Sequence, residues 1–203
     1  EVEQTIELTK KAFVKYNLQD AWNRVVAVVV QPGVEFGDEV VFDYDRNKSR
    51  ELTDVIENYP NIVYEAHSTD YQKKELLKQM VEDHFAFLKV GPWLTFAFRE
   101  AVFALALIEK ELLSNKRGII LSNLLEVVDE RMINFPKYWE QYYDFSEQEN
   151  KLKRKYSHSD RIRYYWADNI VNESLQRLIH NLTENKIPHI LLSQYLPAEY
   201  FAI

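Results

Sequence analysis

Three short apolar runs, each followed by polar side chains, dominate the hydrophobic pattern in the first half of the chain. The runs cover residues 25–30, 61–64 and 85–88. β-branched or aromatic runs without polar alternation are typical of strands buried on both faces of a parallel sheet. A helical pattern follows each run, and this tight alternation predicts parallel βαβ units with right-handed crossovers. The predicted strands are residues 25–30, 61–66 and 85–90.

Apolar residues at helical spacing fill the intervals between these strands and the whole second half of the chain. The predicted helices are residues 3–19, a helix capped by Ser49 and ended by Pro60, a helix capped by Ser68 or Thr69 and carrying Leu76 to Val81, residues 96–113 capped by Thr95, residues 119–133, a short helix after Pro136, and residues 170–183. Because the strand pattern ends near Gly118, we predict barrel-type βα units over residues 1–118 and a helical C-terminal domain over residues 119–203.

The polar residues that follow the three strands indicate the kind of sheet. In an α/β barrel the catalytic groups lie at the carboxyl ends of the strands. Three βα units cannot close a barrel of eight, so the chain is either an open α/β layer or part of a larger barrel. We favour the second: an α/β fold that is the C-terminal part of a TIM (β/α)8 barrel with an added small α-helical domain, whose N-terminal half is absent.

Composition narrows the class of protein. A hydrophobic fraction of 46% indicates a globular chain, and the net charge of −7 argues against a nucleic-acid partner. The chain has no cysteine, which excludes disulfides and thiolate metal sites. No apolar stretch is long enough to span a bilayer and no signal peptide is evident, so we expect a cytoplasmic protein without membrane contact.

His67 is the sharpest candidate for chemistry, because it ends a predicted strand beside Glu65. A neutral imidazole is the commonest protein ligand of Zn, Mn or Co, so His67 is a candidate ligand of a divalent metal; the alternative is a hydrogen-bonded structural histidine. Glu35 is a candidate metal ligand or general base, or an ordinary turn residue. Lys89 is a candidate Schiff-base lysine or, as we favour, a positive charge that neutralises a phosphate or a carboxylate.

Other polar residues are candidate substrate or phosphate ligands. They are Gln31, Ser68, Asp70, Gly91, Ser159, Arg161 and Arg163. Gly91 precedes a helix and offers backbone N–H groups to an anion, and an arginine offers a bidentate fork to phosphate. Arg161 and Arg163 would diverge by about 160° on a helix, so both reach one ligand only if the segment is extended or turning.

Six sequence segments, in order along nearly the whole chain, carry a resemblance to a known family. They are VQPGVEF (30–36), VYEAHSTDYQ (63–72), DHFAFLKVGP (83–92), LTFAFREA (94–101), YSHSDRIRYYW (156–166) and SQYLP (193–197). With these segments the chain resembles the so-called non-catalytic subunit of class II tagatose-1,6-bisphosphate aldolase, formerly described as a tagatose-6-phosphate kinase. Trp93, where the family usually has a small residue, and residues 144–155 depart from it.

The resemblance implies a fold, a function and partners. Members are about twice as long and form a complete α/β barrel with a helical addition, so this chain resembles their C-terminal half. It implies an accessory subunit that supports the stability and full activity of the catalytic aldolase subunit in galactitol or N-acetylgalactosamine catabolism, with a sugar phosphate as ligand. The resemblance leaves open whether the protein also forms a homo-oligomer.

Two other activities are alternatives to the accessory role. The alternative is a metal-dependent epimerase that converts fructose 6-phosphate to tagatose 6-phosphate at C4, because the family also resembles such enzymes. A kinase is disfavoured, since the chain has no Gly-x-x-x-x-Gly-Lys-Ser/Thr loop and only four glycines.

Overall fold

The computed structural model describes residues 1–202, in two compact units, residues 1–93 and the chain from Leu94 onward. The first unit contains α1 (Val2–Lys15), α2 (Gln19–Trp22), β1 (Ala27–Val30), β2 (Glu35–Phe36), β3 (Val41–Phe42), α3 (Arg46–Ile56), β4 (Val63–Ala66), α4 (Lys74–Glu82) and β5 (Phe85–Leu88). Next come α5 (Trp93–Leu113), α6 (Leu124–Asn134), a 3-10 helix (Pro136–Tyr138), α7 (Glu147–Tyr156), a 3-10 helix (Arg161–Tyr165), α8 (Asn169–Glu184), α9 (His189–Tyr195) and α10 (Pro197–Ala202). No helix within residues 1–202 is both long and apolar enough to cross a membrane.

The first unit is built on a small parallel sheet with strand order β1-β4-β5. Each of the three strands lies within its predicted range, and the predicted parallel pairing is confirmed. The fold is therefore mixed α/β and rich in helix. The short antiparallel pair β2–β3 was not predicted, because runs of two residues carry no periodicity.

Only one face of this sheet is covered within the first unit. Tyr64, Ala66 and Phe85 are buried on that face and pack with side chains of α3 and α4. On the other face, Val29 and Phe87 flank Glu65 in register and are 53% and 48% exposed. The expectation of strands buried on both faces is therefore wrong for this chain, because none of the helices in its first unit covers the second face.

The predicted helix caps are wrong. Helix α3 is capped by Asp45, whose side chain accepts a hydrogen bond from the Asn47 N–H at 3.0 Å. Ser49 lies inside the helix and donates instead to the Pro32 carbonyl at 3.1 Å. Thr69 donates to the Lys89 carbonyl at 3.1 Å and so links two loops rather than starting α4. In each case a partner distant in sequence takes the hydroxyl group that a local rule assigned to a cap.

The second unit has its own core, built from α5, α6 and α8. One cluster of buried side chains includes Val102 of α5, Val128 of α6 and Leu178 of α8. Helix α5 therefore packs with the helical unit. The predicted domain boundary after residue 118 stays a prediction.

We predict that the protein loses stability at alkaline pH, because two tyrosines are buried in the core of its first unit. Burial raises the pKa of Tyr44 and of Tyr64 to about 12. An unfolded tyrosine titrates near pH 10, so the stabilisation is complete below pH 10 and is lost as the pH rises to 12. We expect each side chain to account for about 2–3 kcal/mol of this loss.

The measurement is a titration from pH 9 to 12.5, followed by tyrosinate absorbance and near-ultraviolet circular dichroism. The double variant Tyr44→Phe/Tyr64→Phe should show a weaker pH dependence of unfolding, whereas Tyr16→Phe, which changes an exposed ring, should behave as the wild type. An unchanged pH dependence of unfolding in the double variant would show that these two tyrosines do not cause the alkaline loss of stability.

Candidate functional site

The carboxyl ends of the three parallel strands meet at one edge of the sheet. The residue directly after each strand is Gln31 for β1, His67 for β4 and Lys89 for β5. Two backbone bonds continue the ladder there: the Lys89 N–H donates to Ala66 at 2.9 Å, and the His67 N–H donates to Val30 at 3.4 Å. The structure thus places three of the predicted site residues side by side at this edge of the sheet.

His67 forms a pair with Glu65 on the open face of the sheet. The two side chains point the same way because they are two residues apart on a strand. His67 Nε2 lies 3.1 Å from Glu65 Oε1, and both side chains are about one-third exposed. A carboxylate on one ring nitrogen fixes the orientation of the imidazole and leaves Nδ1 to bind a proton or a metal.

These residues supply only part of a metal site. No group of three or more His, Asp or Glu side chains that could hold a metal occurs within residues 1–202. Zinc takes three protein ligands in catalytic sites and four in structural sites. The His67–Glu65 pair supplies two, so the residues present do not make a complete metal site, and the metal at His67 stays a prediction.

Glu35 is held within its own loop. Gln31 Nε2 donates to the Val34 carbonyl at 2.8 Å and to Glu35 Oε2 at 3.2 Å. Glu35 Oε1 accepts from the Phe36 N–H at 3.0 Å. Gly33 turns this loop at a φ of 85°, which glycine adopts without steric cost. Gln31 therefore fixes the position of the Glu35 carboxylate in the loop that follows β1.

Asp70 organises the loop that leads into α5. Its carboxylate is almost fully buried and accepts hydrogen bonds from the Gly91 and Trp93 N–H groups, at 2.9 Å each. The first N–H groups of a helix have no partner within the helix, and Asp70 satisfies the one at Trp93. The Gly91 N–H, predicted to bind an anion, is thus engaged by a carboxylate of the chain itself.

The segment from Ser68 to Tyr71 has unusual backbone geometry. Ser68 and Tyr71 adopt left-handed φ values of 59° and 63°, which are uncommon for residues with a side chain. The Tyr71 ring contacts the rings of Phe36 and Trp93, at centroid distances of 5.3 and 6.0 Å. These three rings form an aromatic wall in the loops that follow the strands.

Lys89 presents a free positive charge at this edge. Its backbone carbonyl accepts from Thr69, while its exposed ammonium makes no ion pair with the part of the chain that the structure describes. An exposed ammonium at a strand end suits an electrostatic role toward an anion.

The predicted phosphate ligands of the second unit contact different partners. Ser159 Oγ lies 2.8 Å from both the Tyr143 hydroxyl and Ser157 Oγ. The Arg161 guanidinium stacks 3.4 Å from the centroid of the Tyr142 ring. Arg163 donates to the Asp160 carbonyl at 3.2 Å and to the Tyr164 hydroxyl at 2.8 Å. The two arginines therefore do not converge on one point, although both lie in a 3-10 helix.

Sequence reasoning missed a buried ion pair that anchors this segment. Arg99 Nη1 of α5 donates to Asp160 Oδ1 at 2.7 Å, and Thr95 Oγ1 donates to Asp160 Oδ2 at 2.6 Å. Burial raises the pKa of Asp160, against the opposing effects of Thr95 and Arg99. Because 61 residues separate Arg99 from Asp160, no local sequence signal could have revealed the pair.

All residues from 1 to 203 match the family described as D-tagatose-1,6-bisphosphate aldolase subunit GatZ/KbaZ-like. The chain belongs to this family. It is also similar to a solved structure, a probable tagatose 6 phosphate kinase from Sinorhizobium meliloti 1021, with 41% identity and a TM-score of 0.92. That match covers 99% of this chain and 51% of the solved one, so this member of the family spans about half the length of the protein it resembles.

Proposed function

We propose that this chain is the C-terminal half of an α/β barrel, with a helical addition, in an accessory subunit of D-tagatose-1,6-bisphosphate aldolase. In this role it stabilises the catalytic subunit and supports its full activity in galactitol or N-acetylgalactosamine catabolism. The family match over residues 1–203 carries the proposal. It does not favour the epimerase alternative, which stays a prediction.

The sheet of the first unit supports the barrel part of the proposal. Its outer strands β1 and β5 each have one edge without a strand partner within residues 1–202, and its second face is open. Edge strands present unpaired N–H and C=O groups that another strand can complete. A solved relative of about twice this length has room for the missing strands.

The strand-end residues support a sugar phosphate as the ligand of the complete barrel. Lys89 offers a free ammonium to the phosphate. Gln31 offers its amide oxygen beside the Glu35 carboxylate, because its N–H groups already bind Val34 and Glu35. The His67–Glu65 pair can hold or move a proton. These groups lie at the carboxyl ends of parallel strands, where barrel enzymes place their active sites.

The test of the accessory role is association with the catalytic aldolase subunit. We expect co-purification of the two proteins and a complex detectable by light scattering at micromolar concentration, together with a rise in aldolase activity. An unrelated barrel aldolase serves as the control. Absence of a complex with the catalytic subunit, both for this chain and for a full-length relative, would overturn the proposal.

His67→Ala is the sharpest single change at the strand ends. If His67 helps to bind a divalent metal in the complete barrel, the variant should lose bound metal while its melting temperature stays close to that of the wild type, because the strand and helix cores carry the stability. Metal content by mass spectrometry and thermal unfolding, both of the complete barrel, are the two measurements.

His84→Ala is the matched control, since His84 is a half-exposed residue that follows α4 and lies 3.7 Å from Glu57. A purely structural His67 would give the opposite pattern, with unchanged metal content and a loss of about 1–3 kcal/mol in stability. A wild-type protein that binds no metal would also end the prediction.

A further inference from the structure

A cleft lies at the opposite end of the sheet from the strand-end residues. It has a volume of about 380 Å³ and lies where β1 and β4 begin, between α1, α2 and the loop before β4. This volume is within the range of about 300–1,000 Å³ that small-molecule sites occupy. Nothing in the proposed function uses it.

The lining of this cleft combines two aromatic side chains with three amides. The aromatic residues are Trp22 and Tyr59, and the amides are Asn23, Asn58 and Asn61. An aromatic ring offers an apolar face, while each amide offers two N–H donors and a carbonyl acceptor. This mixture suits a ligand that has C–H groups on one side and hydroxyl groups around its rim.

Two of the amides are available to a ligand. Asn58 Nδ2 is already directed to the carbonyls of Asp54 and Val55, at 3.4 and 3.3 Å. Asn23 and Asn61 are exposed, and their side chains make no hydrogen bond with residues 1–202. Their combined capacity is four donated and several accepted hydrogen bonds.

The charges around the cleft disfavour a strongly anionic ligand. Lys10 is the one cation in its lining, and Glu7 offsets it. The carboxylates of Glu7 and Glu3 also help burial to raise the pKa of Tyr59, so their field reaches the ring that lines the cleft. A phosphate dianion would meet this negative field without a compensating arginine or helix N-terminus.

We propose that this cleft binds a neutral polyhydroxylated molecule of about the size of a hexose, as a second site separate from the strand ends. Trp22 and Tyr59 pack against the C–H groups of the ligand, and Asn23 and Asn61 bind its hydroxyl groups. The site rests on the lining of the first unit alone, so it does not depend on the proposed aldolase role.

The test uses saturation-transfer NMR on the full 203-residue chain, because this method tolerates an associated protein. The probes are D-tagatose, as a neutral ketohexose, and D-tagatose 6-phosphate. We expect a transfer signal from the neutral sugar. In the double variant Asn23→Ala/Asn61→Ala the affinity should fall about tenfold, from the loss of two hydrogen-bonding side chains.

Asn47→Ala, which removes an exposed amide outside the cleft, is the matched control and should bind as the wild type. Trp22→Ala should also weaken binding, but Trp22 contacts Phe13, so the surface asparagines give the cleaner result. Equal binding by the double variant and the wild type would overturn the proposal, as would transfer from the phosphorylated sugar alone or from neither probe.

Discussion

The 203-residue chain expressed alone should bind a hydrophobic dye and aggregate rather than melt as a cooperative monomer. The open face of its sheet exposes Val29 and Phe87, and elsewhere the side chain of Leu94 is 79% exposed. The unpaired edges of β1 and β5 add templates for strand pairing. Large exposed apolar patches together with free edges are an aggregation liability. Dye fluorescence, light scattering and a thermal melt measure the effect.

Two variants separate the open face from the covered one. Val29→Lys places a charge on the open face and should lower dye binding while the fold is retained, since edge lysines block strand pairing. Val28→Lys places the same charge on the face that packs against the core and should unfold the first unit. A monomeric wild-type chain with a sharp melt and no dye binding would show that the half-barrel proposal is wrong.

The strands were predictable because their signal is local. Val28 and Val29 lie in a run of β-branched residues, and such a run favours a strand regardless of its partners. Which face would be covered could not be predicted, because it depends on elements outside the run. The open side of Val29 is such a case.

The candidate site was predictable in position but not in its contacts. The strand ends placed Gln31, His67 and Lys89 together, since parallel strands end at one edge. Asp70 was predicted to bind substrate, whereas in the structure it accepts bonds from backbone groups 21 and 23 residues away. Residue type and spacing show that a carboxylate is present, but not which donors the folded chain brings to it.

Helix α7 is the opposite case: a local sequence signal marks its start, although no helix was predicted there. Ser146 and Glu149 form a capping box, in which each side chain bonds to the other's backbone N–H. The spacing Ser-x-x-Glu predicts this start of a helix from sequence alone. The charged residues that follow hide the apolar period, because Lys153 and Arg154 are buried despite their charge.

The buried Arg154 makes the second unit sensitive to loss of a single carboxylate. The Arg154 side chain is fully buried; its Nε donates to Asp129 at 2.7 Å and its Nη2 donates to Glu147 at 2.9 Å. Its guanidinium carbon also lies 5.0 Å from the centroid of the Trp139 ring. Asp129→Ala should therefore destabilise the second unit by about 3–5 kcal/mol, because it leaves a buried positive charge without its closest partner.

An ion pair at the surface is the control for the Asp129→Ala prediction. Glu82→Ala removes a carboxylate 2.7 Å from Arg46, but both side chains are about half exposed, so the loss should stay below about 1 kcal/mol. Hydrogen exchange at the amides of α6 and α7 measures the local stability even in an associated protein. The double variant Asp129→Leu/Arg154→Met should recover most of the loss, since removing both charges removes the cost of burying one alone. If Asp129→Ala costs no more than Glu82→Ala, the buried arginine does not depend on Asp129, and the pair joins α6 to α7 without stabilising them.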